Sequence, residues 1–504
     1  MKKVLTYALI VVLTLALLPI NQAQAAKSSV LFSDVNSEHW AQKAIQYMVR
    51  EGAINGYQDG SFRPEGELKR VHVAKMIDRI QYISSNFSEE ELTAVKLKDV
   101  PTTLDGFEAV AGLYLSNSAD FLFKNGQFQP YKSITRGEVA ALLSNVFGIY
   151  ASEDYDIDDV SPSSNFYDGV AGLVENEVTN LYNGTSFKPN NVLTRAQFAM
   201  FTARVLNDYF KPSNQNFDSD HVFYWGNFTN LTKIDYENSR TFELSPFPIL
   251  GDVIEKDGWI YFLEDTELSY DLLDEYDNTN RGHLYRMKED GTKAELLLDE
   301  QLTAFTIVDN KIYFSKYGDF NEKGVFEYSE KVIASMNLDG TNQKVLYNNV
   351  FAENMISFED SIYFSWYDFQ TWGSGFSTFN ISSPEEPVVL LEELIASGDF
   401  KVLENGIYYK LRDYDNKVFF MNHDGSNIVE TALMNIPVAY INGHVYYDDS
   451  GANSEVSLFK QSGIGTGDGE VISTHDYVHP VGVVGNYLIY LIKYEDTYYL
   501  TELK

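Results

Sequence analysis

Three arginines, Arg70, Arg136 and Arg195, occupy one position of a threefold repeat, where each could hold an anion. An aspartate leads each repeat in a hydrophobic-x-Asp-Val unit, at Phe32 to Val35, Leu97 to Val100 and Ile157 to Val160. A glycine turn then runs into Phe-x-Pro, at Gly60 to Pro64, Gly126 to Pro130 and Gly184 to Pro189, and the arginine comes six residues after the proline. Thr135-Arg136-Gly137-Glu138 and Thr194-Arg195-Ala196-Gln197 fit the capping box, in which Thr takes the N3 amide and Glu or Gln reaches back. That puts Arg136 and Arg195 in a first helical turn, where the macrodipole favours anions over cations. A cation there is expected to help the free amides hold an anion. The other use is an ion pair with Asp34, Asp99 or Asp159 that fixes one repeat on the next, and both roles can coexist.

The elements that must position these groups are helices. His39 to Arg50, Val71 to Ile80, Glu138 to Phe147 and Gln197 to Leu206 carry apolar residues at intervals of three and four. Each repeat therefore reads as helix, glycine-proline turn, helix. In the first repeat Lys69-Arg70-Val71-His72 keeps the arginine without the capping box.

These motifs, together with Gly56 to Pro64 (Gly-Tyr-Gln-Asp-Gly-Ser-Phe-Arg-Pro) and Ile134 to Glu138 (Ile-Thr-Arg-Gly-Glu), resemble S-layer homology repeats over roughly Phe32 to Phe210. The resemblance implies an all-α pseudo-trimer that binds a secondary cell-wall polymer, a pyruvylated glycan, in grooves between repeats. It implies a binding set of Arg70, Arg136 and Arg195 with Asp34, Asp99 and Asp159, and with Trp40, Thr135 and Thr194 beside them.

After about Lys211 a polar run, Pro212 to Asn216, leads into β-rich bursts at Ile260 to Phe262, Ile312 to Phe314, Ile362 to Phe364, Ile407 to Tyr409, Val445 to Tyr447 and Ile489 to Leu491. A second motif, Met287 to Thr292, Met336 to Thr341 and Met421 to Ser426, carries Asp-Gly, a strong hairpin signal. Units of roughly 38 to 52 residues with four short strands each are the mark of a β-propeller, here predicted with six blades. A strand near Val222 to Trp225 or Thr241 to Leu244 is expected to complete the short last unit. The pattern is similar to a propeller-type domain of unknown function in bacterial surface proteins, which implies no chemistry. The expected division is a leader at 1–25, repeats at 26–91, 92–150 and 151–211, a linker at 212–220 and the propeller at 221–504.

The leader follows from Met1-Lys2-Lys3, an apolar run from Val4 to Leu18 and the small-residue site Ala23 to Ala26, which together read as a secretory signal cleaved after Ala25. The apolar run is shorter than the ~20 residues of a membrane span. No later segment is apolar enough to span, so an exported protein at the cell wall is expected. A formal net charge of −35 and the lack of a basic patch weigh against nucleic acid as a partner. The chain has no cysteine, which excludes disulfides, thiolate metal sites and cysteine nucleophiles.

No catalytic constellation stands out: G-x-S-x-G, H-E-x-x-H and a phosphate-binding glycine loop are missing. His475 and His479 on one strand would stand about 13 Å apart, too far for one metal ion. Asp271, Asp274, Glu275 and Asp277 form an acidic run without the EF-hand spacing, read as a solvated loop. No cofactor or metal is therefore expected. The propeller is expected to bind a protein or glycan, using the segments Leu263 to Gly282 and Ser315 to Glu330. The alternatives are a structural S-layer component and a hydrolase acting on wall polysaccharide.

Overall fold

The computed structural model describes residues 32–502, apart from 37–38, 215–221, 226–229, 236–237, 239, 266–281, 321–325, 369–372, 384–385, 393–394, 412–416, 449–454, 468, 477, 485–486 and 493–496. The leader and the acidic run Asp271 to Asp277 lie outside the described residues. Among the described residues no helix is long and apolar enough to cross a membrane.

Helices build the N-terminal part. α1 spans Gln42–Arg50, α2 Arg70–Gln81, the short α3 Glu89–Ala94, α4 Phe107–Leu115, α5 Arg136–Phe147, α6 Tyr167–Glu175 and α7 Arg195–Leu206. Their three-and-four spacing becomes a buried face, as in Ala44, Ile45, Tyr47 and Met48 of α1. Thr135 and Thr194 close reciprocal capping boxes with Glu138 and Gln197, whereas α2 starts at Lys69 without a side-chain cap.

The repeats close on one another in a cycle. α2 packs on α4, α5 on α6 and α7 on α1. At the centre the Leu68 amide donates to the Leu193 carbonyl, the Leu193 amide to Ile134 and the Ile134 amide to Leu68, at 3.3, 3.1 and 2.9 Å. All three side chains are fully buried. Buried backbone donors need partners, and here each repeat finds them only in the other two, so no repeat is complete alone.

Strands build the rest. β1 (Val222–Trp225), β2 (Asn230–Asp235), β3 (Arg240–Lys256), β4 (Trp259–Asp265), β5 (Gly282–Lys288) and β6 (Glu295–Leu302) form one sheet in that order. Four-stranded sheets follow, made of β7 (Ala304–Val308) to β10 (Lys344–Asn348), β11 (Asn354–Phe358) to β14 (Val388–Leu391), β15 (Ile395–Leu403) to β18 (Val429–Glu430) and β19 (Ala439–Ile441) to β22 (Glu470–Asp476). A three-stranded sheet closes the series, made of β23 (Val478–Val484), β24 (Tyr487–Ile492) and β25 (Thr497–Glu502). Neighbouring strands within each sheet are antiparallel.

The first aromatic burst lies on β4, the fourth strand of its six-stranded sheet, and the others lie on the second strand of theirs: β8 (Lys311–Phe320), β12 (Ser361–Asp368), β16 (Gly406–Leu411), β20 (His444–Asp448) and β24. Alternate residues of a strand point to opposite faces, and the bursts serve two neighbours at once. Ile312 and Phe314 join the core shared with the preceding sheet, while Tyr313 joins the core shared with the next. The same alternation holds for Ile407 and Tyr409 against Tyr408, and for Val445 and Tyr447 against Tyr446. The consecutive apolar residues are thus explained by burial on both faces. The Asp-Gly motifs join the last two strands of their sheets, with the Thr292, Thr341 and Ser426 amides donating to the Asp290, Asp339 and Asp424 carboxylates.

The structure corrects the blade count. Among the described residues there are five four-stranded blades, the first made by β4, β5, β6 and the second half of β3. The sixth burst sits in the three-stranded sheet. The strands expected to complete that sheet are engaged elsewhere: β1 pairs with β2, and Thr241 to Glu243 of β3 pair with Thr232 to Ile234 of β2. The 17-residue β3 is long enough to hold both partners, residues from Arg240 to Pro248 pairing with β2 and residues from Ile249 to Lys256 with β4. His475 and His479 fall on β22 and β23, in different sheets, rather than on one strand.

The helical and β parts meet at the first blade. Phe247 of β3 packs on Tyr47 and under the Arg50 guanidinium, and Arg50 pairs with Asp265 at 3.8 Å. Asn214 and Glu243 exchange hydrogen bonds, the Glu243 amide donating to Asn214 Oδ1 and Asn214 Nδ2 to the Glu243 carbonyl.

Candidate functional site: the arginine grooves

Each repeat first builds its own Phe-x-Pro turn. Asp34 accepts from the amides of Phe62 and Arg63, Asp99 from Phe128 and Gln129, and Asp159 from Phe187 and Lys188, all at 2.7 to 2.9 Å. The middle residues Arg63, Gln129 and Lys188 adopt φ of 57°, 58° and 60°. That left-handed backbone is costly for a residue with a side chain, and the paired amide bonds to the aspartate hold it. Burial would raise the Asp159 pKa, but the Phe187 amide, the Ser186 hydroxyl and the Lys188 amide outweigh it and hold the carboxyl below its ordinary value.

The arginine of the neighbouring repeat then reaches the far side of the same turn. Arg195 donates through Nε to the Phe62 carbonyl at 2.8 Å and through Nη2 to the Asn55 carbonyl at 2.9 Å. Arg136 donates through Nε to the Phe187 carbonyl at 3.1 Å and through Nη2 to the Thr179 hydroxyl at 3.4 Å. Arg70 instead uses Nη1 for the Phe128 carbonyl at 2.8 Å and turns Nη2 onto Glu138 at 2.5 Å. The aspartates therefore do not pair directly with the arginines. One phenylalanine links them, its amide held by the aspartate and its carbonyl by the arginine.

The first-turn amides, expected to be free for an anion, are used within the protein. Those of Arg70 and Val71 donate to Lys132 and Pro130, those of Arg136 and Gly137 to Asn191 and Pro189, and those of Arg195 and Ala196 to Gly66 and Pro64. Thr135 and Thr194 take the next amide. What remains for an outside anion is the guanidinium.

All three arginine side chains are about 5% exposed. Among the described residues, only Arg70 of the three has a carboxylate within ion-pair distance. Arg136 and Arg195 lie against aromatic faces: Arg136 over Tyr182, Phe187 and Phe201, and Arg195 over Tyr57 and Phe62. Burial pushes both guanidinium pKa values down, partly opposed by Tyr182 and Asp159 for one and by Tyr57 and Asp34 for the other. A desolvated cation without a counter-ion gains from binding an anion.

Tyr57 and Tyr182 are each 38% exposed and carry a second cation on their rings, Arg63 and Lys188, both 3.9 Å from the centroid. Trp40 is 57% exposed, stacks on His39 and stands just before α1, the helix that packs on α7. The two tyrosines and Glu138's role as partner of Arg70 escaped the sequence reading. The tyrosines do stand at one register, five residues before the turn phenylalanine. Among the described residues no group of three or more His, Asp or Glu is placed to hold a metal ion.

On the propeller, the segment from Ser315 to Glu330 is largely a hairpin and not a loop. Asp319 pairs with Glu327 and Phe320 with Phe326. Most of Leu263 to Gly282 lies outside the described residues.

The S-layer homology domain model matches residues 31–74 and 156–199, windows that contain the first and third repeats from aspartate to arginine. An S-layer protein of Bacillus licheniformis is 27% identical over 202 residues, 38% of this chain and 21% of that protein. The surface-layer 125 kDa protein of Lysinibacillus sphaericus is 36% identical over 87 residues, 17% of this chain and 7% of that protein. A cellulosome-anchoring protein of Acetivibrio thermocellus is 29% identical over 121 residues, 23% of this chain and 26% of that protein. The chain thus spans about a quarter or less of the length of these relatives.

Proposed function

The chain carries S-layer homology domains and a propeller domain and resides at the cell-wall surface; from that premise we propose that its helical part anchors it non-covalently to a secondary cell-wall polymer, a pyruvylated glycan, while the propeller displays a binding surface. The observation that carries the anchoring is the pair of buried guanidinium groups, Arg136 and Arg195, without a carboxylate among the described residues and beside half-exposed tyrosines. A carboxylate-bearing sugar suits both features, since a guanidinium binds carboxylate strongly and an aromatic face suits the apolar side of a sugar ring. Asp34, Asp99 and Asp159 act through the turns, and Thr135 and Thr194 through the helix starts, as positioning residues. Trp40, exposed just before α1, is a further ring open to a sugar.

The propeller is read as a recognition module without catalysis. Its recurrent residues are accounted for by blade packing and hairpins, which leaves no side-chain set assigned to chemistry.

The test is co-sedimentation of the full chain with isolated cell-wall sacculi. Binding is expected to intact sacculi and to be lost after extraction of the polymer. Equal retention on extracted sacculi refutes the anchoring. Regular arrays of the purified protein would favour the structural-layer reading, and turnover of wall polysaccharide would favour the hydrolase.

A further inference from the structure

The three grooves share one plan but differ at the third residue of the arginine helix. In the second repeat it is Glu138, which takes Arg70 Nη2 at 2.5 Å and lies 3.8 Å from Lys132. In the first repeat it is His72, an exposed imidazole whose pKa is held down by partial desolvation and by the positive charge of Arg195. In the third repeat the same position is Gln197. The series is an anion, an imidazole whose charging is disfavoured, and a neutral amide.

Three further differences follow the same division. Arg136 and Arg195 place Nε on the phenylalanine carbonyl. Glu138 draws Arg70 round, so that Nη1 takes that carbonyl and Nε is left buried without a partner. Where the other two grooves have the half-exposed Tyr57 and Tyr182, the Arg70 groove has Phe123, stacked on Phe128 at 5.1 Å and met edge-on by Tyr114. It therefore has no tyrosine hydroxyl at that position. The residue before the turn proline is a cation in two grooves, Arg63 and Lys188, and Gln129 in the third.

We infer that the anchor takes anionic sugar in two of its three grooves, those of Arg136 and Arg195, and that Glu138 is the built-in counter-ion that closes the groove of Arg70. This rests on the anchoring reading above. A carboxylate already bound to a guanidinium inside one molecule acts at high effective concentration, so an outside carboxylate must displace it. Glu138 is thereby a specificity-determining residue: it turns one ligand groove into a clamp between the first and second repeats.

Gln197 supplies the test. It forms the same capping box as Glu138, with its Oε1 accepting from the Thr194 amide as Glu138 Oε2 accepts from Thr135. Glu138→Gln should therefore keep the helix start and remove only the charge. The reciprocal variant, Gln197→Glu, should place a counter-ion in the Arg136 groove. The experiment is isothermal titration of the full chain with the methyl glycoside of a pyruvylated hexose, with thermal melts as a check on folding.

The wild-type chain is expected to take two equivalents, Glu138→Gln three, and Gln197→Glu one. Arg136→Ala and Arg195→Ala should each lose one site, whereas Arg70→Ala should leave the count at two. Three equivalents in the wild type, or an unchanged count in both folded position-three variants, overturns the inference. If only one of those two variants folds, its count decides alone. No binding at all by the wild type overturns the anchoring reading instead.

Discussion

Replacing Glu264 with glutamine should flatten a fall in stability that the wild-type chain shows between mildly acidic and neutral pH. Glu264 is the penultimate residue of β4, at the junction where the first blade meets α1. Burial pushes its carboxyl from the ordinary 4.5 up to about 7, against the pull of Arg50 and Lys43 from α1 and of hydrogen bonds from Ser245 and Tyr285. The folded chain therefore binds this proton more tightly than the unfolded chain does. The contribution is fully present below pH 4.5, declines as pH rises, and is lost once pH passes about 7. At about 1.4 kcal/mol per pH unit, the interval corresponds to roughly 3 kcal/mol, an upper value because the side chain keeps some contact with water. The assay is urea unfolding of the full chain at steps from about pH 4 to about pH 8, for the wild type and Glu264→Gln. The two proteins should differ by a curve that changes across that interval and levels off above it. Glu51 and Glu243 are also raised by burial and titrate in both proteins, so the difference curve isolates Glu264. Parallel pH profiles would refute the reasoning.

Two further perturbations test the helical part. Asp34→Ala removes the acceptor of the Phe62 and Arg63 amides and should cost roughly 2–4 kcal/mol by the usual value of charge-assisted hydrogen bonds. In titrations the same variant should weaken the Arg195 groove, whose arginine holds the Phe62 carbonyl, and leave the Arg136 groove unchanged. Gly169→Ala would place a methyl group 2.6 Å from Cα of Ala141, in the backbone of α5 where α6 crosses it. Backbone cannot swing aside, so a loss of roughly 1–3 kcal/mol is expected in a thermal or urea melt, and an unchanged melt would contradict the close crossing.

The sequence by itself determined what depends on near neighbours. Capping boxes span four residues, so Thr135 with Glu138 and Thr194 with Gln197 could be read directly. Asp-Gly turns are local, and so are the aromatic bursts, because a strand buried on both faces needs consecutive apolar residues. Tertiary structure decided what depends on which distant segments meet. Arg70 and Glu138 lie 68 residues apart, and a charged residue at a helix start does not reveal whether its counter-ion comes from the same protein or from a ligand. Nor did the repeat show that the first-turn amides would be used up, since their acceptors are carbonyls of another repeat, reached only when the three close into a cycle. The blade count failed for the same reason. Periodicity counts bursts, but an edge strand joins whichever sheet offers it unpaired donors and acceptors, and β1 and the first part of β3 found theirs in β2.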